Sequence, residues 1–137
     1  MSAFAARGAK LRVAPIDDTG TVIMEEFEKL FNARTKAIMP VHLYGHPAAL
    51  REFTALAEKH NVLLFEDAAQ AHAASLDGVP VGAWGVAGSF SFYPTKNMTS
   101  GEGGMVSTPD AAFARRVRLL RVRRPVRSVR TQPEQQG

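Results

Sequence analysis

Four apolar residues in succession, Val62-Leu63-Leu64-Phe65, stand between a helical pattern and the acidic pair Glu66-Asp67. This run limits the fold more than any other stretch. An apolar run without polar alternation reads as a strand covered on both faces, the kind that parallel sheets bury between helices. Its flanks agree. Residues 47–60 ("PAALREFTALAEKH") predict a helix with Leu50, Phe53, Leu56 and Ala57 as its buried stripe and Pro47 at its first position, where a missing N–H costs nothing. Further upstream, residues 10–16 read as a strand ended by the turn-forming Asp17-Asp18-Thr19-Gly20, and residues 21–32 as a helix with Ile23, Phe27, Leu30 and Phe31 on one face. Residues 36–43 read as a strand in which Pro40 removes one ladder donor and marks an edge, a bulge or an end. Downstream, residues 88–93 and 103–108 are strand candidates, and a helix starts near Pro109-Asp110. Strands alternating with helices predict βαβ units, hence an α/β fold of three α/β/α layers around a mostly parallel sheet. Ligands of such sheets gather beyond the carboxyl ends of the strands. Asp67 and Lys96 fall at that edge.

With 137 residues the chain holds one domain at most, and its 45% hydrophobic content is enough for a core. No stretch has the apolar length of a membrane span, and the start lacks the layout of a secretory signal. Zero cysteines exclude disulfides and thiolate metal sites and fit a cytoplasmic location. The four histidines show no metal-ligand spacing within a helix, so no metal is expected. The net charge of +4 divides unevenly: residues 1–113 carry −3, and residues 114–137 carry +7 through eight arginines against Glu134 alone. The body and the tail need separate explanations.

Two motifs carry chemistry. "EDAAQAH" (66–72) is followed, after a fixed interval, by "SFSFYPTKN" (89–97). Together with "PVHLYGHPAAL" (40–50) and "KNMTSGEGGMV" (96–106), in this order, they resemble the DegT/DnrJ/EryC1/StrS family of sugar aminotransferases, pyridoxal-phosphate (PLP) enzymes of fold type I. The resemblance covers residues 9–120 and implies an incomplete PLP-transferase large domain. It implies Lys96 as the Schiff-base lysine and proton carrier, Asp67 as the partner of the pyridine nitrogen, Gln70 as a donor to the ring hydroxyl, and Ser91 as a phosphate ligand. Each has a plainer alternative: a solvated lysine, an Asp capping the turn after a strand, a polar turn residue, a strand serine. His72 is as well explained by a structural hydrogen bond as by the cofactor, and Asn97 is a weaker positioning candidate. His42 and Tyr44, two apart, are expected to share a face at a strand end, where they would line the substrate side, with packing and turn roles the simpler account. Glu66 points away from Asp67, since strand neighbours alternate. The "SGEGG" run (100–104) matches neither the P-loop nor the dinucleotide fingerprint, and reads as a turn.

The resemblance further implies a nucleotide-sugar substrate, glutamate as amino donor, a homodimer for an intact protein, and transamination, because the family's dehydratases lack the lysine. The family's phosphate-binding helix start, its ring-stacking aromatic and its small domain have no match here. Beyond "FARRVRLLR" the sequence leaves the family pattern, so the expected organisation is a partial large domain over 1–121 and a basic, disordered tail over 122–137, from truncation or a frameshift. The alternative is a non-catalytic remnant, or an anion or nucleic-acid binder acting through the arginines, although no interleaved aromatic residues accompany them.

Overall fold

The structure, a computed structural model, describes residues 4, 7–18 and 20–122. The expected tail over 122–137 lies, but for Val122, outside the described residues.

The sheet has four strands: β1 (Ala37–Ile38), β2 (Leu63–Asp67), β5 (Ala87–Ser91) and β6 (Gly104–Ser107), side by side in the order β1-β2-β5-β6. β1, β2 and β5 run parallel, and β6 returns antiparallel to β5. The α/β class and the mostly parallel sheet agree with the sequence. A separate two-stranded hairpin, β3 (Ser75–Leu76) and β4 (Val79–Pro80), turns through Asp77-Gly78, both at positive φ. That Asp-Gly signal of a two-residue turn was readable, but its strands are too short to show any alternation.

Pro40 ends β1 as its missing donor requires, and pairing with β2 resumes at a single bridge, Val41 to Asp67. The helix α2 (Leu50–His60) starts three residues after Pro47, with Ala49 as its N-cap, so the expected place of the proline at its first position is wrong. Asn61, in the left-handed conformation, closes the helix by donating to the carbonyls of Ala57 and Glu58. α2 lies on β1 and β2, where Phe53 and Ala57 meet Ile38 and Leu64. The five-residue α1 (Met24–Glu28) adds Phe27, edge-on to Phe53 at 5.1 Å. Leu50 joins a second core cluster with Ala68, Ala71 and Val81, and Trp84 borders both clusters.

Three further expectations fail. β2 is buried on one face only: Leu64 and Glu66 are inside, whereas Leu63 is 51% exposed. Residues 10–16 do not form a sheet strand; they keep one bridge, Ile16 to Val22, and leave Val13 74% exposed, because no strand among the described residues accepts their ladder bonds. The helix of 21–32 shrinks to α1, since Val22 is spent on that bridge and Ile23 is extended at its start. The final helix, α3 (Ala111–Val122), begins as expected, with the Asp110 carboxylate accepting from the N–H groups of Ala112 and Phe113.

Candidate functional site

The carboxyl end of β2 is built on a buried acid. Glu66 accepts from the backbone N–H of Gly82 at 2.6 Å, Trp84 at 2.8 Å and Gly85 at 3.0 Å, and from His42 Nε2 at 3.2 Å. Both side chains of the His42–Glu66 pair are fully buried. His42 Nδ1 accepts the Ala48 N–H at 3.0 Å, so the ring is neutral and carries its proton on Nε2. Burial alone pushes the Glu66 carboxyl up, but the bonds from His42 and the three backbone donors outweigh it and hold the group below the usual carboxylate range. Gly85 allows this approach, because a Cβ there would fall on the carbonyl of Leu64. His42 is thereby a structural residue. It does not share a face with Tyr44, which is 89% exposed: the tight turn Leu43–Gly45 intervenes, with Tyr44 at φ 53°.

Asp67, one residue on, sits half-buried at the tip of β2, in register with Ser89 on β5. Its Oδ1 accepts the Ala69 N–H at 3.1 Å, and among the described residues nothing bonds Oδ2. The Asp thus caps the following turn and keeps one oxygen available. Gln70 turns its Oε1 onto the Tyr44 N–H at 2.8 Å, which leaves its amide NH₂ as the outward donor. The turn needs Gly45, at φ +85°, where a Cβ would lie 3.1 Å from the Gln70 carbonyl.

Lys96 follows β5 through a β-turn, Tyr93-Pro94-Thr95-Lys96, closed by a 2.9 Å bond from the Lys96 N–H to the Tyr93 carbonyl. Pro94 stands where its fixed φ favours such a turn. Lys96 is half-buried, and its ammonium makes no hydrogen bond or ion pair among the described residues, unlike Lys29 and Lys59, each held by a glutamate. It lines a pocket of about 360 Å³ with Tyr44, Gln70, Thr95 and Asn97. Of the residues expected to touch the cofactor, the pocket therefore unites Lys96, Gln70 and Asn97; Asp67 and Ser91 stand at the neighbouring strand ends outside its lining. The Ser91 hydroxyl accepts the Tyr93 N–H at a long 3.4 Å. His72, expected as either structural or cofactor-linked, bonds Asn97 Oδ1 through Nδ1 at 2.6 Å. Tyr44, expected as a substrate-side or packing residue, lies in the pocket lining, and Thr95, for which the sequence gives no signal, joins it there. A second pocket, of about 370 Å³ near Glu28, Phe31 and His60, is lined by none of these residues. No helix among the described residues is long and apolar enough to cross a membrane.

A model of the DegT/DnrJ/EryC1/StrS aminotransferase family matches residues 1–135. The chain is 55% identical over 97 residues to the L-glutamine:2-deoxy-scyllo-inosose aminotransferase of Streptomyces lividus, covering 71% of this chain and 23% of that protein. It is 46% identical over 110 residues to the dTDP-3-amino-3,4,6-trideoxy-alpha-D-glucose transaminase of Streptomyces venezuelae, covering 80% and 29% respectively. Helicobacter pylori PseC, an aminotransferase involved in the biosynthesis of pseudoaminic acid, superimposes with a TM-score of 0.84 at 30% identity, over 88% of this chain and 33% of that one. The chain thus spans about a quarter to a third of the length of these relatives.

Proposed function

Because the chain belongs to the DegT/DnrJ/EryC1/StrS aminotransferase family, we propose that it is the lysine-bearing part of a PLP-dependent enzyme that moves an amino group from glutamate to a keto group of a nucleotide-linked sugar. The observation that carries this reading is the half-buried Lys96, unpaired among the described residues, sharing one pocket with Gln70 just past the strand that pairs with the one ending in Asp67. The nucleotide-sugar part rests on what the relatives are named for, a dTDP-sugar transaminase among them. The family pattern also implies a homodimer for the intact protein.

The residues present fit the cofactor by their chemistry. PLP, when bound, supplies an aldehyde for an amine and a pyridinium ring that draws electrons from the substrate α-carbon. Lys96 Nζ would be that amine and would carry the substrate α-proton, two tasks that require an amine with no carboxylate holding it. Asp67 Oδ2, the oxygen left over by its turn-capping bond, would accept from a protonated ring nitrogen. The Gln70 amide, with its oxygen already engaged by Tyr44, presents its NH₂ to a ring oxygen. The Ser91 hydroxyl donates to a phosphate oxygen. The reading of the chain as a nucleic-acid or anion binder is not favoured, since the family match runs on through the arginine-rich stretch.

Treating the purified chain with PLP and then borohydride, followed by peptide mapping, tests this reading. The expected result is a pyridoxyl group fixed on Lys96, lost in Lys96→Ala while circular dichroism stays unchanged. Labelling spread evenly over Lys10, Lys29, Lys36 and Lys59, and equal in Lys96→Ala, would refute the assignment.

A further inference from the structure

We propose that His72 is a positioning residue for Lys96, acting through Asn97; this rests on the role of Lys96 argued above. Lys96 sits between two tethers. On its N-terminal side the β-turn bond to the Tyr93 carbonyl fixes its backbone. On its C-terminal side the chain is exposed, and Asn97 is held by the 2.6 Å bond from His72. Asn97 Oδ1 can only accept, so His72 Nδ1 carries the proton and donates it.

The two ends of this bond differ in rigidity. His72 follows Ala71, which is 1% exposed in the core cluster of Leu50, Ala68 and Val81. The N–H of Ala71 donates to the carbonyl of Ala68, and that of Ala74 to the carbonyl of Ala71, so His72 lies within a doubly bonded turn. The next residue, Ala73, is left-handed at φ 62°, a costly conformation for a residue with a Cβ. The imidazole lies against Phe90 and Phe92, with ring centroids 5.7 and 5.5 Å away. A fixed ring therefore reaches out to hold an exposed loop.

Packing does not account for a histidine here. Its Nε2 is buried with no hydrogen-bond partner among the described residues. A phenyl ring would fill the space beside Phe90 and Phe92 and leave no polar atom unmatched. What the imidazole adds is the donor at Nδ1, and its acceptor is the side chain next to the pocket lysine. An amine that must meet one carbon atom loses rate steeply when its chain wanders by an ångström.

The experiment compares His72→Phe, His72→Asn and Asn97→Leu with wild type in the rate at which PLP and borohydride label Lys96. A second readout, without cofactor, is amide exchange over residues 95–98. Phe keeps the shape and removes the donor; Asn gives up the shape but places an amide N–H where Nδ1 stood. Positioning predicts labelling slowed roughly tenfold or more and faster exchange in His72→Phe and Asn97→Leu, with His72→Asn near wild type. A packing role predicts the reverse order for the two His72 variants, and that result would overturn the proposal. Asn97 is exposed, so Asn97→Leu tests the bond even if a His72 variant fails to fold, and wild-type labelling in Asn97→Leu also overturns it. If wild type itself is not labelled at Lys96, the functional reading falls and this inference falls with it.

Discussion

Glu66 keeps its charge inside the protein because four donors converge on it, and its loss should be felt twice. In Glu66→Gln one carboxylate oxygen becomes an NH₂ that faces N–H donors, leaving at least one of them unsatisfied. We expect about 2–3 kcal/mol of destabilisation in urea unfolding. The pH dependence has a definite sign. The folded-state pKa of Glu66 is lowered, so its contribution is complete above the unfolded value, about 4.3, and is lost as pH falls through the folded value. Wild-type stability should therefore drop on acidification below that point, and Glu66→Gln should show a shallower drop; equal slopes would remove Glu66 from the account. The sequence indicated that Glu66 turns away from Asp67, through strand alternation alone. It could not indicate that Gly82, Trp84 and Gly85 supply the counter-donors, because that partnership is made by a loop returning from 16 to 19 residues away.

The helix α2 owes its place to Phe53, which is 1% exposed and touches Phe27 edge-on while packing against Ile38 and Leu64. Phe53→Ala is expected to cost about 3–5 kcal/mol, read from the denaturation midpoint. Its stripe was legible from the 3.6-residue period, with Leu50, Phe53 and Ala57 buried as expected and Leu56 only half-buried. Its start was not, because Pro47 is suited to a first helical position by rule, and only the fold shows that the chain first makes the Leu43–Gly45 turn and brings the Ala48 N–H to His42. Residues 10–16 misled for the opposite reason. Their composition suits a strand, but a strand exists only where a neighbour offers its edge, and the Arg12 guanidinium donating to the Leu30 carbonyl at 2.8 Å ties this stretch beside α1 instead. The candidate site was legible as two motifs with their spacing. Thr95 was not, since nothing about its local sequence distinguishes it from a turn residue, and Tyr44 was legible only as a partner of His42, which the fold buries while leaving Tyr44 at the pocket.

Across the whole molecule, order should be graded from the sheet outward. The N–H groups of Leu63, Asp67, Ala68 and Val86 all donate to carbonyls of neighbouring segments, those of Lys36, Pro40, Ser89 and Leu64 in turn. We expect amide exchange to be slowest over residues 63–68 and fastest over residues 10–14, whose N–H groups find no backbone acceptor among the described residues; uniform exchange across both would contradict the graded picture. The same gradient bears on the site. Asp67 ends the most protected strand, whereas Lys96 hangs from a turn. Tyr44 stands between these extremes. Its backbone is committed to Gln70, while its ring, 89% exposed, is committed to nothing in the described chain. The rim of the pocket is thus modular: its framework is inherited from the interior, and the aromatic tip is an interchangeable fitting. Selection, or a protein engineer, can retune what the rim greets without reopening the foundations beneath it.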